Sequence, residues 1–232
     1  MFGGEMLNRL SRPQEDELMS SLYKVIEVEH LSPYVFRLRT ERPAVPIRAG
    51  QCFSVGPKGL GVNREYSMYS GAEDPYLDFL IRSIEHGVVS TALLNVRVGD
   101  EIEIGGPYGE FCLPESVLNN RYLFVATGTG IAPFHSYIKT FPGLDYRILH
   151  GVRLKEETYH AAHYEPGRYL ACISRPNGSG SGERVTDRLA QESITGDKKI
   201  YLCGNRAMIV DVVEILRAKG VSGDNIFMEV FF

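Results

Sequence analysis

The apolar pattern of this chain changes character near residue 115, and that change limits the folds open to it. Upstream lie short β-rich runs at Tyr23–His30, Tyr34–Thr40, Gln51–Val55, Glu65–Ser70, Leu77–Ser83 and Glu101–Gly105, bounded by turns rich in Gly, Pro and Asp. Short strands at this spacing predict a small antiparallel barrel. One helical patch, Val88–Val96, interrupts them. The segment Pro114–Arg121 carries a Pro and an Asn-Asn pair and reads as a linker. Downstream, apolar strands at Tyr122–Ala126, Tyr146–His150, Tyr169–Ile173, Ile200–Cys203 and Ile226–Phe231 alternate with helices near Pro133–Thr140, Glu156–Ala162, Val185–Gln191 and Arg206–Lys219. That order predicts an open parallel sheet with helices on both faces. The expected division is a polar tail over 1–20, a barrel domain over 21–115 and an α/β domain over 116–232. A length of 232 residues lets two modest domains each bury a core.

Ligands of open α/β sheets sit at the carboxyl ends of the strands. There, Tyr122–Ala126 runs into Thr127-Gly128-Thr129-Gly130-Ile131-Ala132-Pro133. The glycines let backbone approach an anion closely, and Pro133 suits a first helical turn. The free N–H groups of that turn can hold a diphosphate. Read alone, this is equally a glycine-rich turn with no ligand, since it is neither G-x-G-x-x-G nor a P-loop.

In the barrel, Arg64-Glu65-Tyr66-Ser67-Met68-Tyr69-Ser70 offers an Arg for a phosphate, an aromatic ring to pack on a ring system and a hydroxyl for a polar edge. Strict alternation would put Tyr66 and Ser67 on opposite faces, so a bend or strand end is required to bring them together. His86-Gly87-Val88-Val89-Ser90 opens the barrel's helix and forms a second candidate phosphate seat or an ordinary cap. Gly106-Pro107-Tyr108-Gly109-Glu110-Phe111 is a tight turn.

Composition narrows the chemistry. A net charge of −4 does not suggest nucleic-acid binding. The cysteines Cys52, Cys112, Cys172 and Cys203 are dispersed without C-x-x-C spacing, so neither an iron–sulfur cluster, a metal site nor a disulfide framework is expected. The early acidic residues Glu5, Glu15, Asp16 and Glu17 argue against a secretory signal. The longest uncharged stretch, between Arg121 and Lys139, is interrupted by Gly128, Gly130 and Pro133 and is short for a membrane span. A cytoplasmic, membrane-free protein is expected.

Taken together, R-x-Y-S at Arg64–Ser67, G-x-x-S at Gly87–Ser90, G-P-x-G-x-F at Gly106–Phe111, G-T-G-x-A-P at Gly128–Pro133 and C-G-N at Cys203–Asn205 resemble the ferredoxin–NADP reductase family, over roughly residues 22–232. The resemblance implies a flavin-binding antiparallel β-barrel followed by an NADP-binding α/β domain. It implies FAD, rather than FMN, and NADP(H) as cofactors. The implied reaction exchanges electrons between NADP(H) and ferredoxin or flavodoxin by hydride transfer to FAD, in a monomer. Arg64 would bind the flavin diphosphate, Tyr66 would pack on the isoalloxazine and Ser67 would sit near its N5. Gly87, Val88, Val89 and Ser90 would finish the diphosphate seat. Gly128, Thr129 and Gly130, with Gly204 and Asn205, would hold the pyridine nucleotide, and Cys203 would lie beside the nicotinamide.

Arg153, Ser174, Arg175 and Arg184 match positions that surround the 2′-phosphate of NADP in bacterial members, where a dianion favours forked, permanently charged donors. The terminal Met228-Glu229-Val230-Phe231-Phe232 resembles the bacterial E-x-aromatic-aromatic ending. That similarity puts Phe231 near the isoalloxazine or nicotinamide, Phe232 near the adenine of FAD, and Glu229 in proton transfer or nicotinamide binding. Ser67, Cys203 and Glu229 are the expected catalytic residues. Arg206 follows C-G-N where many members have Pro, and the Phe-Phe ending differs from the Tyr-Trp of some relatives. Two other readings stay open: the reductase component of an oxygenase system, or a flavin-binding subunit of a larger redox complex.

Overall fold

The structure of the protein, a computed structural model, describes residues 20–194 and 197–231. Phe232, and all of the expected tail except Ser20, lie outside the described residues. The first half contains β1 (Ser21–His30), β2 (Val35–Glu41), β3 (Cys52–Pro57), β4 (Arg64–Ser67), β5 (Tyr76–Arg82), α1 (Val88–Leu94) and β6 (Glu101–Tyr108). These strands form one antiparallel sheet in the order β4-β3-β6-β1-β2-β5. Its two edges approach at an isolated bridge, Met68 to Phe79, and the Tyr69 N–H donates to the Asp78 carbonyl at 2.7 Å.

The second half contains β7 (Arg121–Thr127), α2 (Ala132–Thr140), β8 (Asp145–Val152), β9 (Tyr169–Ile173), α3 (Val185–Gln191), β10 (Lys199–Asn205), α4 (Arg206–Ala218) and β11 (Ile226–Phe231). They build a parallel sheet ordered β11-β10-β7-β8-β9. The chain runs from β7 outward through β8 and β9, then returns to the other side of β7. That reversal at β7/β10 opens a crevice at the strand ends, where open sheets bind ligands.

Alternation along β7 explains the layering. Tyr122, Phe124 and Ala126 join a core that holds α2 and continues into the barrel, whereas Leu123 and Val125 join a second core with α3 and α4. The seam between the halves is buried and bonded. The Tyr137 hydroxyl donates to the Phe111 carbonyl, the Ala72 N–H to Thr140 Oγ1 at 2.9 Å, and the Tyr201 hydroxyl to the Cys112 carbonyl at 3.2 Å.

Two expectations need correction. The helix expected at Glu156–Ala162 is instead two single 3₁₀ turns, Lys155–Glu157 and Ala161–His163. Between them His160 takes a left-handed conformation (φ 53°), held by the Tyr69 hydroxyl at 2.9 Å and by Glu29 at 3.3 Å. These tertiary contacts override the local helical pattern. The strand expected at Glu65–Ser70 ends at Ser67; Met68 donates its N–H to the Gln51 carbonyl at 3.0 Å and also bridges Phe79 of β5.

Candidate functional site

Two neighbouring cavities occupy the strand ends between the halves. The first, of about 720 Å³, is lined by Arg64, Tyr66, Ser67, Gly87, Val88, Val89, Ser90, Thr129, Glu229 and Phe231, with Cys52 and Arg82. Ser67 is the last residue of β4, and Tyr66 and Ser67 both reach this cavity despite their alternation. Ser90 is anchored within it, since its Oγ accepts the Ile84 N–H at 3.3 Å.

The second cavity, of about 910 Å³, gathers Gly128, Thr129, Arg153, Ser174, Arg175, Arg184, Gly204, Asn205 and Phe231 from the carboxyl ends of the parallel strands and the loops after them. The Arg175 N–H donates to the Arg153 carbonyl at 2.8 Å, so the β8 and β9 strand ends carry adjacent arginines. Ser174 Oγ donates to the Val152 carbonyl at 3.1 Å. Asn205 has a structural duty as well: its side chain caps α4 through the Met208 N–H at 2.9 Å and donates to Thr127 Oγ1 at 3.1 Å. Gly204 (φ 140°) is required there, because a Cβ would collide with Thr127 Oγ1. Gly130, expected at the nucleotide, lines neither cavity. It is buried against the Cys203 and Gly204 backbone, where a side chain would not fit. Arg206 is exposed and also lies outside both cavities.

Thr129, Arg82 and Phe231 line both cavities. Close to that junction the three expected catalytic residues meet on one carboxylate. Ser67 Oγ donates to Glu229 Oε2 at 3.0 Å, and Cys203 Sγ approaches the same oxygen at 3.9 Å. Register explains the second contact, since Cys203 and Glu229 are direct partners on β10 and β11. Burial, with a smaller push from Glu65, raises the Glu229 carboxyl above its ordinary value, opposed by the Ser67 and Cys203 bonds. Burial first and Glu229 second push the Cys203 thiol well up, so it remains an S–H donor. Burial raises the Tyr66 phenol to about 12, which keeps its ring neutral.

The donor set fits two phosphate-bearing nucleotides. Arg64, Arg82, Arg153, Arg175 and Arg184 form no ion pair among the described residues, whereas Arg37, Arg39, Arg147 and Arg168 are all paired with carboxylates. Unpaired forked cations around open cavities are suited to phosphate oxygens. Arg82 was not recognisable in the sequence, because a single arginine ending a strand carries no pattern. Only the meeting of the two cavities singles it out.

Comparison with known proteins agrees with this layout. Residues 22–112 match the Oxidoreductase FAD-binding domain family, and residues 124–214 match the Oxidoreductase NAD-binding domain family. The chain belongs to the ferredoxin–NADP reductase family. Within the family, it is 27% identical to the flavodoxin/ferredoxin–NADP reductase of Rhodobacter capsulatus, over 85% of each chain. It is also 30% identical to the toluate 1,2-dioxygenase electron transfer component of Pseudomonas putida over 78% of its own length, and it spans only 58% of that relative. The fold superposes on a ferredoxin NADP⁺ reductase from Neisseria gonorrhoeae with a TM-score of 0.81, covering 92% of this chain and 99% of the other at 24% identity. No helix among the described residues is long and apolar enough to cross a membrane.

Proposed function

We propose that this family member is an NADPH-dependent flavoprotein reductase, exchanging electrons between NADP(H) and ferredoxin or flavodoxin. FAD would occupy the barrel-side cavity and the nicotinamide nucleotide the other. The observation that carries the reading is the convergence of Ser67 and Cys203 on Glu229 beside the junction of the two cavities. FAD, when bound, accepts a hydride from the reduced nicotinamide and releases electrons singly.

The chain's own residues bind, orient and manage protons. Arg64 supplies a forked cation to the flavin diphosphate, with the Gly87–Ser90 segment beside it. Tyr66 presents a neutral ring to the flavin. Ser67 presents a hydroxyl whose direction is set by Glu229. The Glu229 carboxyl, raised above its ordinary value by burial, is placed to hold or pass a proton at Oε2, as general acid–base work requires. Cys203 keeps its proton and, fully buried and lining neither cavity, acts through Glu229 from behind it.

Arg153, Ser174, Arg175 and Arg184 are the proposed 2′-phosphate seat. Arg175→Ala is expected to lower kcat/KM for NADPH about tenfold or more while changing NADH use little, and equal losses with both would contradict the assignment.

The likeness to the flavodoxin/ferredoxin–NADP reductase of Rhodobacter capsulatus supports ferredoxin or flavodoxin as partner. The likeness to the dioxygenase electron transfer component supports a second reading, service to an oxygenase. The test is NADPH oxidation by FAD-loaded protein with ferredoxin, flavodoxin or an oxygenase component as acceptor. Turnover with either small carrier is expected. Turnover with an oxygenase alone would favour the second reading, and absence of turnover with bound flavin would point to a subordinate flavin-binding subunit.

A further inference from the structure

His150 sits on β8, fully enclosed, one layer behind the second cavity and outside its lining. Its Nε2 lies 2.8 Å from the Gly128 carbonyl oxygen, and its Nδ1 lies 2.8 Å from the Tyr169 hydroxyl on the adjacent strand β9. A carbonyl can only accept, so Nε2 carries the hydrogen and Nδ1 accepts from Tyr169. The tautomer is therefore set by the geometry. Tyr169 is itself fixed, its ring stacked on Tyr164 with centroids 4.8 Å apart.

Gly128 is the first residue of the turn that precedes α2, in a left-handed conformation (φ 55°) with open space where a side chain would be. Having no side chain, Gly128 is not restrained by side-chain packing. The Gly128–Thr129 peptide is trans, so its C=O and N–H point in opposite directions. Drawing the carbonyl to His150 therefore turns the Thr129 N–H away from the core. That N–H stands in a first helical turn, where it lacks an intrahelical acceptor, and Thr129 lines both cavities.

We propose that His150, braced by Tyr169, is a positioning residue that orients the Gly128–Thr129 peptide for the nucleotide phosphates. The proposal rests on the functional reading above. Burial holds the imidazole neutral, with its pKa down to about 4, so the arrangement persists across the neutral range. A charged imidazole would donate from both nitrogens and displace the Tyr169 proton from Nδ1.

Calorimetric titration of FAD-loaded protein with NADP⁺ tests this. His150→Leu is expected to weaken NADP⁺ about tenfold, with KM for NADPH rising in step and FAD affinity unchanged, in line with the loss of one buried hydrogen bond. His150→Gln, which restores an N–H near the Nε2 position, is expected to stay within about threefold of the parent. Equal NADP⁺ affinity in His150→Leu and the parent would overturn the proposal, as would parallel losses of FAD and NADP⁺ in both variants. Nitrogen NMR of the parent gives a reading independent of either variant folding: the Nε2–H tautomer is expected, and the Nδ1–H tautomer overturns the proposal. A parent protein that binds FAD but no NADP⁺ would instead remove the functional reading itself, and this inference with it.

Discussion

At the scale of single residues, Glu229 is where geometry and electrostatics meet. Its carboxyl binds a proton more tightly in the fold than in the unfolded chain, because burial disfavours the charge. Its effect on stability then has a definite sign. Below the ordinary carboxylate range both states are protonated and nothing is lost. As pH rises through the unfolded and then the raised folded value, the unfolded chain releases its proton first and the fold is weakened. Glu229→Gln is expected to raise Tm at pH 7 and to leave it unchanged near pH 3. The same substitution should lower kcat about a hundredfold and flatten the pH–rate profile. A more stable but fully active variant would show that the carboxylate has no part in the reaction. The identities of Ser67, Cys203 and Glu229 were legible as motif members, but their meeting on one oxygen was not. That meeting depends on the β10–β11 register and on the bridge of Met68 to β5, both long-range events.

At the scale of elements, the loop–helix junctions hold the site in shape. The β10–α4 junction depends on Gly204, whose φ of 140° and contact with Thr127 admit no side chain. Gly204→Ala is expected to cost roughly 1–3 kcal/mol or more and to lower the urea midpoint, because strain adds to a steric clash. An unchanged midpoint would mean that the two strand ends can move apart. Period-two alternation made most strands readable, including the two-sided burial of β7, and the switch to alternating strands and helices marked the α/β half. The segment Glu156–Ala162 defeated the same reasoning. Ala161 and Ala162 favour a helix locally, but Tyr159 is drawn into the core and His160 is bound to Tyr69 and Glu29. Such a conflict between propensity and tertiary contact cannot be resolved from a local pattern. Arg82 escaped notice for a related reason: its significance lies in two cavities formed by segments far apart in the chain.

At the scale of the whole molecule, the buried histidines set an acid limit. His135 on α2 lies under the seam between the halves, its Nδ1 2.6 Å from the Tyr69 carbonyl oxygen and its Nε2 3.0 Å from His163. Burial first lowers its pKa to about 3, and burial lowers that of His150 to about 4. A histidine whose folded pKa is depressed supports the fold above its unfolded value and ceases to do so as pH falls towards its folded one. Stability is therefore expected to fall between about pH 6.5 and about pH 3 by a few kcal/mol, read as a drop in urea midpoint. His135→Gln should reduce that slope, and an unaltered slope would place the acid sensitivity elsewhere.

Everything proposed for this protein requires a flavin in one cavity and a nicotinamide nucleotide in the other, in reach of one another. The most direct test is an anaerobic absorbance titration of the FAD-reconstituted protein, with NADPH and separately with NADH. A yellow protein is expected, its flavin absorbance bleached by near-equimolar NADPH and far more slowly by NADH. A protein that stays colourless after reconstitution, or a bound flavin that neither nucleotide reduces, would contradict that arrangement.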